Sequence, residues 1–433
     1  MSNICSCPAT ERSRLAPAPI AKILRQALAE PGLIDAEDSA ALFHDLSFMA
    51  ERCRAAQRAF PENALHTLAI KANPLVPALR RAAHLGMGME AASLVELHLA
   101  LAAGVAPSRI VFDSPVKTEA ELALALEKGV HINADSLEEL ARIARLRQAR
   151  ASESVVGLRV NPQIGIGVIA QTSVAGGDSK FGAPVNEQRA AIIAAFESYP
   201  WLSALHVHIG SQGCKLPLLV SGVSAVFALA QEINRRWAAP RIRVFDVGGG
   251  LPVAYRDDET PPTVAEYAQA LRRAMPELFT PSWRLITEFG RFIQANAGWV
   301  ASRIEYVKAG AQPTLVAHVG ADLFLRRCYR PEDWHHDLFL TDGAGRIKTG
   351  PTRRYTVAGP LCFAGDVLAR QLALPEAQPG DFLIIRDAGA YTLSMWSRYN
   401  SRQIPKVIGY DGDGFTLLRR RESLTELAAF WGA

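Results

Sequence analysis

The sequence predicts an α/β protein, with a (β/α)8 TIM barrel followed by a mostly β C-terminal domain. Three observations lead to this prediction. Up to about residue 300, short apolar runs alternate with longer helical patterns, and there are eight such runs. Beyond that point helical patterns become rare. The length of 433 residues suits one large barrel and one smaller unit.

The eight strand candidates are nearly all apolar, as expected for parallel strands that are buried on both faces. In chain order they are His66–Ile70, Gly86–Ala92, Arg109–Phe112, Val130–Ala134, Val155–Val160, Ala204–Ile209, Val244–Val247 and Leu285–Glu288.

Segments with helical periodicity lie between these strands and predict the outer helices of the barrel. They are Leu75–Ala83, Leu94–Ala103, Glu119–Lys128, Leu137–Arg147, Glu187–Ser198, Val223–Trp237 and Val264–Met275. A succession of βα units is typical of this barrel.

The C-terminal part of the chain shows alternating runs punctuated by Gly and Pro, which predicts strands. These runs are Thr314–Val319, Arg354–Val357, Phe382–Arg386 and Phe415–Arg419. We expect residues 43–300 to form the barrel. Residues 1–42, with a helical segment at Ile20–Ala29, and residues 301–433 should form the β-rich second domain.

Composition excludes several classes of function. The net charge of +4 is small and no dense Lys/Arg block occurs, so we expect no nucleic-acid partner. No secretion signal is evident, and no apolar run of about 18 residues predicts a membrane helix. Cys5 and Cys7 lack partner ligands at zinc spacing, so no metal is expected. These features predict a soluble, cytoplasmic protein with free thiols.

The first predicted strand runs directly into Lys71-Ala72-Asn73-Pro74. Chemistry in this barrel sits at the carboxyl ends of the strands. A lysine there would be partly desolvated, which lowers the pKa of its amine and makes it a better nucleophile toward a carbonyl. Taken alone, Lys71 is better explained as an ordinary lysine that reaches from a strand end into solvent.

A phosphate site is predicted at the ends of the last two strands. The seventh strand runs into Gly248-Gly249-Gly250, and the eighth runs into Glu288-Phe289-Gly290-Arg291. Loops at these two positions form the usual phosphate site of the fold, because small residues leave backbone N–H groups accessible. Arg291 adds a charged fork, and Ser211 can donate a hydrogen bond. Three glycines alone would equally fit a tight turn.

Two histidines, His206 and His208, lie two apart on the predicted sixth strand and therefore point the same way. They could bind a metal, but the sequence offers no acidic or cysteine partner at a convincing spacing. A planar ring over an aromatic cofactor suits His208 better, and Glu288 supplies a carboxylate at the same barrel mouth. Pyridoxal 5'-phosphate (PLP) needs such an acid against its pyridine nitrogen, which keeps the ring an electron sink.

Together these motifs resemble the ornithine/diaminopimelate/arginine decarboxylase family, which are PLP enzymes of the alanine-racemase-like fold type III. The similar stretches in the barrel are Lys71–Pro74, Ser93 and Glu96, Asn133–Ser136, Arg159–Pro162, Ser179–Gly182, His206–Ser211, Gly248–Gly250 and Glu288–Arg291. In the second domain they are Gly359–Cys362, Asp366, Asp387–Tyr391 and Tyr399–Arg402. The similarity runs from about residue 60 to about residue 407, and the motifs keep the order of the family.

The resemblance implies a role for each matched residue. Lys71 bonds to the cofactor as a Schiff base, His208 stacks on its ring and Glu288 pairs with its nitrogen. Cys362 reaches the site from the partner subunit of a homodimer with shared active sites, and it returns a proton after carbon dioxide leaves. The remaining cofactor contacts are Arg159 near the ring and Ser211, Gly249, Gly290, Arg291 and Tyr391 at the phosphate.

Four departures from the family pattern bear on the substrate. Phe289 replaces a proline, and the segment His318–Asp322 replaces the usual Asp-containing pattern. Phe363 and Arg330 stand where the diamino-acid enzymes commonly have acids.

Losing two acids predicts a substrate whose far end is polar or carries a carboxylate, such as diaminopimelate or the siderophore precursor citryl-diaminopropionate. The expected substrate-binding residues are Arg326, Arg330, Phe363 and Asp366.

Two alternatives remain open. An amino-acid racemase of the same fold would share Lys71 and the phosphate site, but it would usually lack a cysteine in the setting of Cys362. A non-catalytic PLP-binding homologue would usually lack the lysine, the cysteine or the β domain. The segment Gly359-Pro360-Leu361-Cys362 favours decarboxylation.

Overall fold

The computed structural model describes residues 13–149, 151–412 and 414–433; Cys5 and Cys7 lie outside these ranges. The strands, in chain order, are β1 Ala40–Asp45, β2 Leu65–Ala69, β3 Gly88–Ala91, β4 Ile110–Asp113, β5 His131–Ala134, β6 Val156–Asn161, β7 Ala183–Pro184, β8 Leu202–His206, β9 Val244–Asp246, β10 Arg284–Phe289, β11 Gly298–Lys308, β12 Thr314–Ala317, β13 Leu338–Thr341, β14 Thr352–Ala358, β15 Val367–Pro375, β16 Phe382–Ile385, β17 Lys406–Asp411 and β18 Gly414–Arg419. The α-helices are α1 Pro17–Ala29, α2 Leu46–Ala59, α3 Val76–His84, α4 Leu94–Ala102, α5 Glu119–Lys128, α6 Leu137–Ala149, α7 Val185–Ser198, α8 Leu216–Asn234, α9 Val264–Ala274, α10 Arg291–Gln294, α11 Leu325–Tyr329 and α12 Leu424–Phe430.

Eight parallel strands close into a barrel, which confirms the predicted fold class. The strand order is β2-β3-β4-β5-β6-β8-β9-β10, and β10 pairs in parallel with β2 to complete the circle. Each predicted barrel strand overlaps an observed one. The largest difference is at the sixth predicted strand, where β8 ends at His206, so His208 lies beyond the strand.

The barrel interior has an apolar base and a charged upper layer. Apolar side chains from alternating positions fill the base; they are Leu65, Val111, Ala204, Val244 and Ile286. Toward the carboxyl ends of the strands, the register brings Arg159, His206 and Asp246 level with one another on β6, β8 and β9. All three are buried. A buried charged layer above an apolar base is where this fold places its chemistry.

The helix that packs between the last and first barrel strands, α2, precedes the first barrel strand in the sequence. After β10 the chain forms only the short α10, and α2 packs against α9, α3 and α10 in its place. The Asp45 carboxylate caps α2 by accepting a hydrogen bond from Phe48 N at 2.8 Å. This helix was not among the predicted ones, because the βα pattern places each helix after its strand.

Helix α8 is the one helix of the described ranges that is long and apolar enough to cross a membrane, judged by length and composition only. It follows β8 as a barrel crossover helix, and eight of its residues are buried, among them Val223, Phe227 and Ile233. It begins seven residues before the predicted start at Val223, because Pro217 is favourable in the first turn of a helix.

The second sheet combines both ends of the described chain. Its order is β15-β14-β12-β11-β1-β17-β18, and β16 pairs with both β11 and β13. Strand β1, from ahead of the barrel, pairs antiparallel with β11 and parallel with β17. The predicted domain limits at residues 43 and 300 both fall inside strands of this sheet.

Candidate functional site

Lys71 lies in the turn that follows β2, and its amine meets a carboxylate that the sequence analysis did not single out. Its Nζ donates to both oxygens of Glu90 on β3, each at 2.7 Å. Burial alone would lower the pKa of Lys71, but the carboxylates of Glu90, Glu288 and Asp113 outweigh burial and raise it. The prediction of a lowered lysine pKa was therefore wrong.

A buried network of charges lies beside this pair. His206 Nδ1 is 3.5 Å from Asp113 Oδ1, and His206 Nε2 is 3.5 Å from Glu288 Oε2. Burial would lower the pKa of His206, but the two carboxylates raise it to about 9. On the other side of Asp113, Arg159 Nη1 donates to Asp113 Oδ2 at 3.0 Å. Arg159 thus lies in the buried charged layer at the carboxyl ends of the strands, and its contact with the cofactor ring stays a prediction.

His208 differs from His206 in exposure and in charge. Its side chain is partly open at the barrel mouth, and burial lowers its pKa. The backbone N–H of Gly249 donates to His208 Nδ1 at 3.3 Å, which places the proton of a neutral ring on Nε2. A neutral ring at the open end of the cluster can lie against an aromatic cofactor.

Glu288 is fully buried, and neither of its oxygens has a hydrogen-bond partner among the described residues. Burial works to raise the pKa of Glu288, but His206, His208 and Lys71 hold it well below its usual range. A charged carboxylate with unused acceptors fits the protonated ring nitrogen of pyridoxal phosphate.

Glu288, on the distant strand β10, is an acidic neighbour of the two histidines that the sequence near them lacks. The ligand atoms of His206, His208 and Glu288 lie within 4.8 Å of one another, which is close enough to hold a metal ion. The expectation of no metal stays a prediction.

The turns predicted to bind phosphate are built by close backbone contacts. A Cβ at Gly249 would lie 2.1 Å from the carbonyl oxygen of Glu288, and one at Gly290 would lie 2.9 Å from Ala72 Cβ. Only glycine allows the two loops to come this close.

Arg291 is buried and makes no ion pair within the described ranges. Its Nε and Nη2 donate to Ser211 Oγ at 3.2 and 3.1 Å, and its Nη1 donates to Tyr255 Oη at 2.6 Å. A buried guanidinium with only neutral partners can accept an anion, and phosphate suits its planar fork.

Tyr391 brings the second domain to this anion site. It has a left-handed backbone with φ of 58°, and its N–H donates to Ala72 O at 2.8 Å, next to Lys71. The guanidinium carbons of Arg291 and Arg326 each lie 4.6 Å from the centre of the Tyr391 ring. Arg326 Nη1 is buried without a hydrogen-bond partner, and burial, with the nearby charge of Arg291, lowers the pKa of Arg326 to about 10.

The predicted catalytic cysteine lies away from these residues. Cys362 is exposed; its N–H donates to Asn400 Oδ1 at 2.7 Å, and its carbonyl accepts from Tyr399 Oη at 3.2 Å. The Phe363 ring stacks on Tyr329 with ring centres 5.5 Å apart. No contact within the described part of the chain joins this group to Lys71.

Two predicted substrate-binding residues have other partners. Arg330 is half exposed and pairs with Glu332 at 2.5 Å and Asp333 at 2.8 Å. The Asp366 carboxylate accepts from the backbone N–H groups of Ala321 and Leu361, both at 2.6 Å. Asp366 therefore holds two loops of the second domain together, and its role at the substrate stays a prediction.

Two of the four residues that the sequence analysis missed carried a detectable signal. Glu90 and Asp113 lie at the ends of the apolar strands β3 and β4, where a buried acid is unusual unless it is paired. Tyr255 and Trp334, which enclose Arg291, lie in loops without a motif.

Comparison with known proteins agrees with this geometry. Residues 46–295 match the family described as pyridoxal-dependent decarboxylase, pyridoxal binding domain. The diaminopimelate decarboxylase of Pseudomonas aeruginosa is 35% identical over 365 residues, which cover 83% of this chain and 85% of the relative. The diaminopimelate decarboxylase of Zymomonas mobilis is 30% identical over 396 residues, which cover 88% and 90%.

Solved structures show the same fold. The diaminopimelate decarboxylase of Helicobacter pylori complexed with L-lysine superposes with a TM-score of 0.82 at 28% identity, over 92% of this chain and 97% of that one. The lysine/ornithine decarboxylase of Vibrio vulnificus complexed with cadaverine has a TM-score of 0.75 at 22% identity, over 90% and 96%, and is similar in fold alone.

Proposed function

Because this chain belongs to the pyridoxal-dependent decarboxylase family and is an amino-acid decarboxylase that uses PLP, we propose that its substrate carries a second carboxylate at its far end. Diaminopimelate is such an amino acid, and the relatives named above support it. The observation that carries the proposal is Arg326, a buried guanidinium with an unused donor beside the cofactor's anion site.

We propose that the cofactor is held by the residues already brought together at the barrel mouth. Lys71 provides the amine for the covalent bond, His208 lies on the ring, and Glu288 keeps the ring nitrogen protonated. Ser211, Gly249, Gly290, Arg291 and Tyr391 surround the phosphate. Bound in this way, PLP supplies an acceptor for the electron pair that is left when carbon dioxide departs.

Around the cofactor, the protein's own residues bind the substrate and orient it. Arg159 pairs with Asp113 in the buried layer, so it would balance the charge of that carboxylate beside the bound cofactor. The guanidinium of Arg326 holds the distal carboxylate, which fixes the far end of the substrate. A simple diamino acid such as lysine would place its distal ammonium group near Arg291 and Arg326, where the like charges repel.

The carbon that loses its carboxylate must gain a proton. We propose that Cys362 of a second copy supplies it in a homodimer with shared active sites. The exposure of Cys362 and its separation from Lys71 in this chain support that arrangement.

We place the enzyme in the cytoplasm. The four described cysteines are all free, as is typical of a reducing compartment.

A racemase is not favoured, since the named relatives are decarboxylases. The same comparisons give no support to citryl-diaminopropionate or to a siderophore pathway. A non-catalytic homologue does not fit the retained Lys71 and Cys362.

The experiment compares kcat/KM for meso-diaminopimelate, lysine, ornithine and citryl-diaminopropionate in the wild type and in Arg326→Leu. We expect diaminopimelate to be the best substrate. Losing one partner of a buried charge pair should lower its kcat/KM about a hundredfold in the variant. The exposed Arg346, which pairs with Asp342 and with no other acid of the described residues, gives the matched control Arg346→Leu. Lysine or ornithine as the best substrate of the wild type would contradict the proposal.

A further inference from the structure

Glu90 is a buried carboxylate committed to a single partner. Its side chain has no exposed surface, and both of its oxygens lie 2.7 Å from Lys71 Nζ. The other carboxylates near the amine lie beside other cationic or ring groups: Asp113 contacts Arg159 and lies 3.5 Å from His206, and Glu288 lies 3.5 Å from His206 and His208. Glu90 is therefore the acid in hydrogen-bonding contact with the lysine.

The lysine must lose a proton before it can react. An ammonium nitrogen has no lone pair with which to attack a carbonyl carbon. The surrounding carboxylates raise the pKa of Lys71, so at neutral pH the amine is charged and a proton acceptor is needed.

The proton of Lys71 could go to bulk water or to Glu90, and the two routes differ in the charge that they leave on Glu90. If the proton went to bulk water, Glu90 would remain a buried anion facing a neutral amine, and an uncompensated buried charge costs several kcal/mol. If Glu90 takes the proton, the ion pair becomes two neutral groups and no buried charge is left. The short contacts on both oxygens make this transfer direct.

We propose that Glu90 is the base that deprotonates Lys71 when the cofactor's aldehyde arrives, a role that rests on the proposed function of Lys71. One ammonium proton moves from Nζ to a Glu90 oxygen, and the amine nitrogen attacks the aldehyde carbon. The two remaining N–H protons leave with the aldehyde oxygen as water, and a C=N bond joins Lys71 to the cofactor. Glu90 ends as the neutral acid.

The environment of Glu90 suits this exchange. Burial, outweighing the opposing effect of Lys71, raises the pKa of Glu90 to about 8, so this carboxylate keeps a transferred proton at a higher pH than an exposed glutamate does. The other titratable groups that act on the pair are Glu288, Asp113, Tyr391, Glu96 and His208.

The test measures how fast the apoenzyme takes up pyridoxal phosphate, followed by the absorbance of the lysine-bound cofactor from about pH 6 to about pH 9. With Glu90→Gln, a proton-acceptor role predicts uptake slowed about a hundredfold and rising with hydroxide concentration. A purely electrostatic role predicts the opposite, because removing the carboxylate lowers the lysine pKa and frees the amine. Uptake as fast as the wild type, or faster, would therefore overturn the proposal.

Three further variants provide a control, a conservative replacement and a chemical rescue. Glu121→Gln is the matched control, because Glu121 lies in the first turn of α5 and accepts from Thr118 N at 2.6 Å, a bond that glutamine can keep; uptake should stay within about twofold of the wild type, against the large factor expected of a base. Glu90→Asp should retain part of the rate. Added formate should restore uptake by Glu90→Ala, and no rescue in a folded variant would contradict the proposal.

If Lys71 does not bind the cofactor, the result differs from the one expected when only the role of Glu90 is wrong. Borohydride trapping and peptide mapping of the wild type would then place the adduct on another lysine. An adduct at Lys71 together with fast uptake by Glu90→Gln would overturn only the role of Glu90.

Discussion

His206 carries a proton inside the barrel because carboxylates face both of its ring nitrogens. Asp113 and Glu288 lie 3.5 Å from Nδ1 and Nε2, and the ring has no solvent contact. The charged ring in turn keeps Glu288 ionised, as a partner for a cofactor nitrogen requires. Replacing His206 would therefore leave two buried acids without their shared cation.

This charge predicts a pH dependence of stability. The folded pKa of His206, about 9, lies above the ordinary histidine value of 6.5, so the folded protein holds the proton more tightly than the unfolded chain. The stabilisation is present in full below pH 6.5 and is lost as the pH rises through 9. Urea unfolding of the apoenzyme should show this loss, on the order of a few kcal/mol.

The variant His206→Asn cannot titrate and serves as the comparison. The difference in free energy of unfolding between wild type and variant should shrink between pH 6.5 and pH 9. Glu90 also titrates in this range, but it contributes to both proteins and largely cancels in the difference. A difference that stays constant with pH would show that His206 is neutral in the folded protein.

At the residue scale, sequence reasoning found the groups that carry motifs. Lys71, His208, Glu288 and Arg291 lie at or just beyond the carboxyl ends of strands, where the fold places its chemistry, and the structure brings them to one barrel mouth. The charge states could not be predicted, because they depend on neighbours such as Glu90 and Asp113 on other strands. The register of those strands decides which carboxylate meets which cation.

The glycine turn after β9 is the element on which the phosphate site depends. A Cβ at Gly249 would meet the carbonyl of Glu288 at 2.1 Å, so Gly249→Ala must push two loops apart. We expect cofactor affinity to fall more than about tenfold and stability to fall by about 1–3 kcal/mol, as in other overpacked sites. Equilibrium titration and urea unfolding measure the two effects.

Gly177→Ala is the control for this change. A Cβ at Gly177 meets nothing within 4 Å, and the residue does not have a left-handed backbone. The substitution should leave both cofactor affinity and stability within experimental error. Equal effects of the two alanines would mean that close approach of the loops is not what Gly249 provides.

Among the elements, the barrel strands were predictable because buried parallel strands read as apolar runs. Helix α2 was missed because it precedes the first barrel strand, and only closure of the barrel places it beside α9. Strands β1 and β11 were also hard to assign, since each belongs to a sheet assembled from distant parts of the chain. Asp366 illustrates the same limit, because its partners at Ala321 and Leu361 lie on separate loops.

At the scale of the whole molecule, the second domain contacts both the lysine turn of the barrel and the N-terminal part of the chain. Tyr391 N–H donates to Ala72 O, and Asn73 Nδ2 donates to Gly389 O at 3.2 Å, so the lysine turn is tied to the second domain. Buried Arg14 links the same segment to the N-terminal part of the chain through Asp387. Cys362, by contrast, faces outward and would serve another copy of the chain.

Hybrid dimers test the shared site. Lys71→Ala and Cys362→Ala should each be defective alone, whereas a mixture that exchanges subunits contains dimers with one intact site. With random exchange, activity should reach about a quarter of the wild-type value per chain. Steady-state rates after mixing, with subunit exchange followed by native mass spectrometry, measure this recovery.

The double variant Lys71→Ala/Cys362→Ala provides the control. Mixed with Cys362→Ala, it can form hybrids but no intact site, so activity should not rise. If the first mixture also fails to recover despite measured exchange, Cys362 does not act across a dimer interface.

Release of labelled carbon dioxide tests the assigned chemistry most directly. The holoenzyme is incubated with diaminopimelate carrying carbon-13 in its carboxyl groups, and carbon dioxide and lysine are quantified together by mass spectrometry. We predict equal amounts of labelled carbon dioxide and lysine from the wild type, and neither from Lys71→Ala. Diaminopimelate that changes configuration without releasing carbon dioxide, or turnover that persists in Lys71→Ala, would contradict decarboxylation at this site.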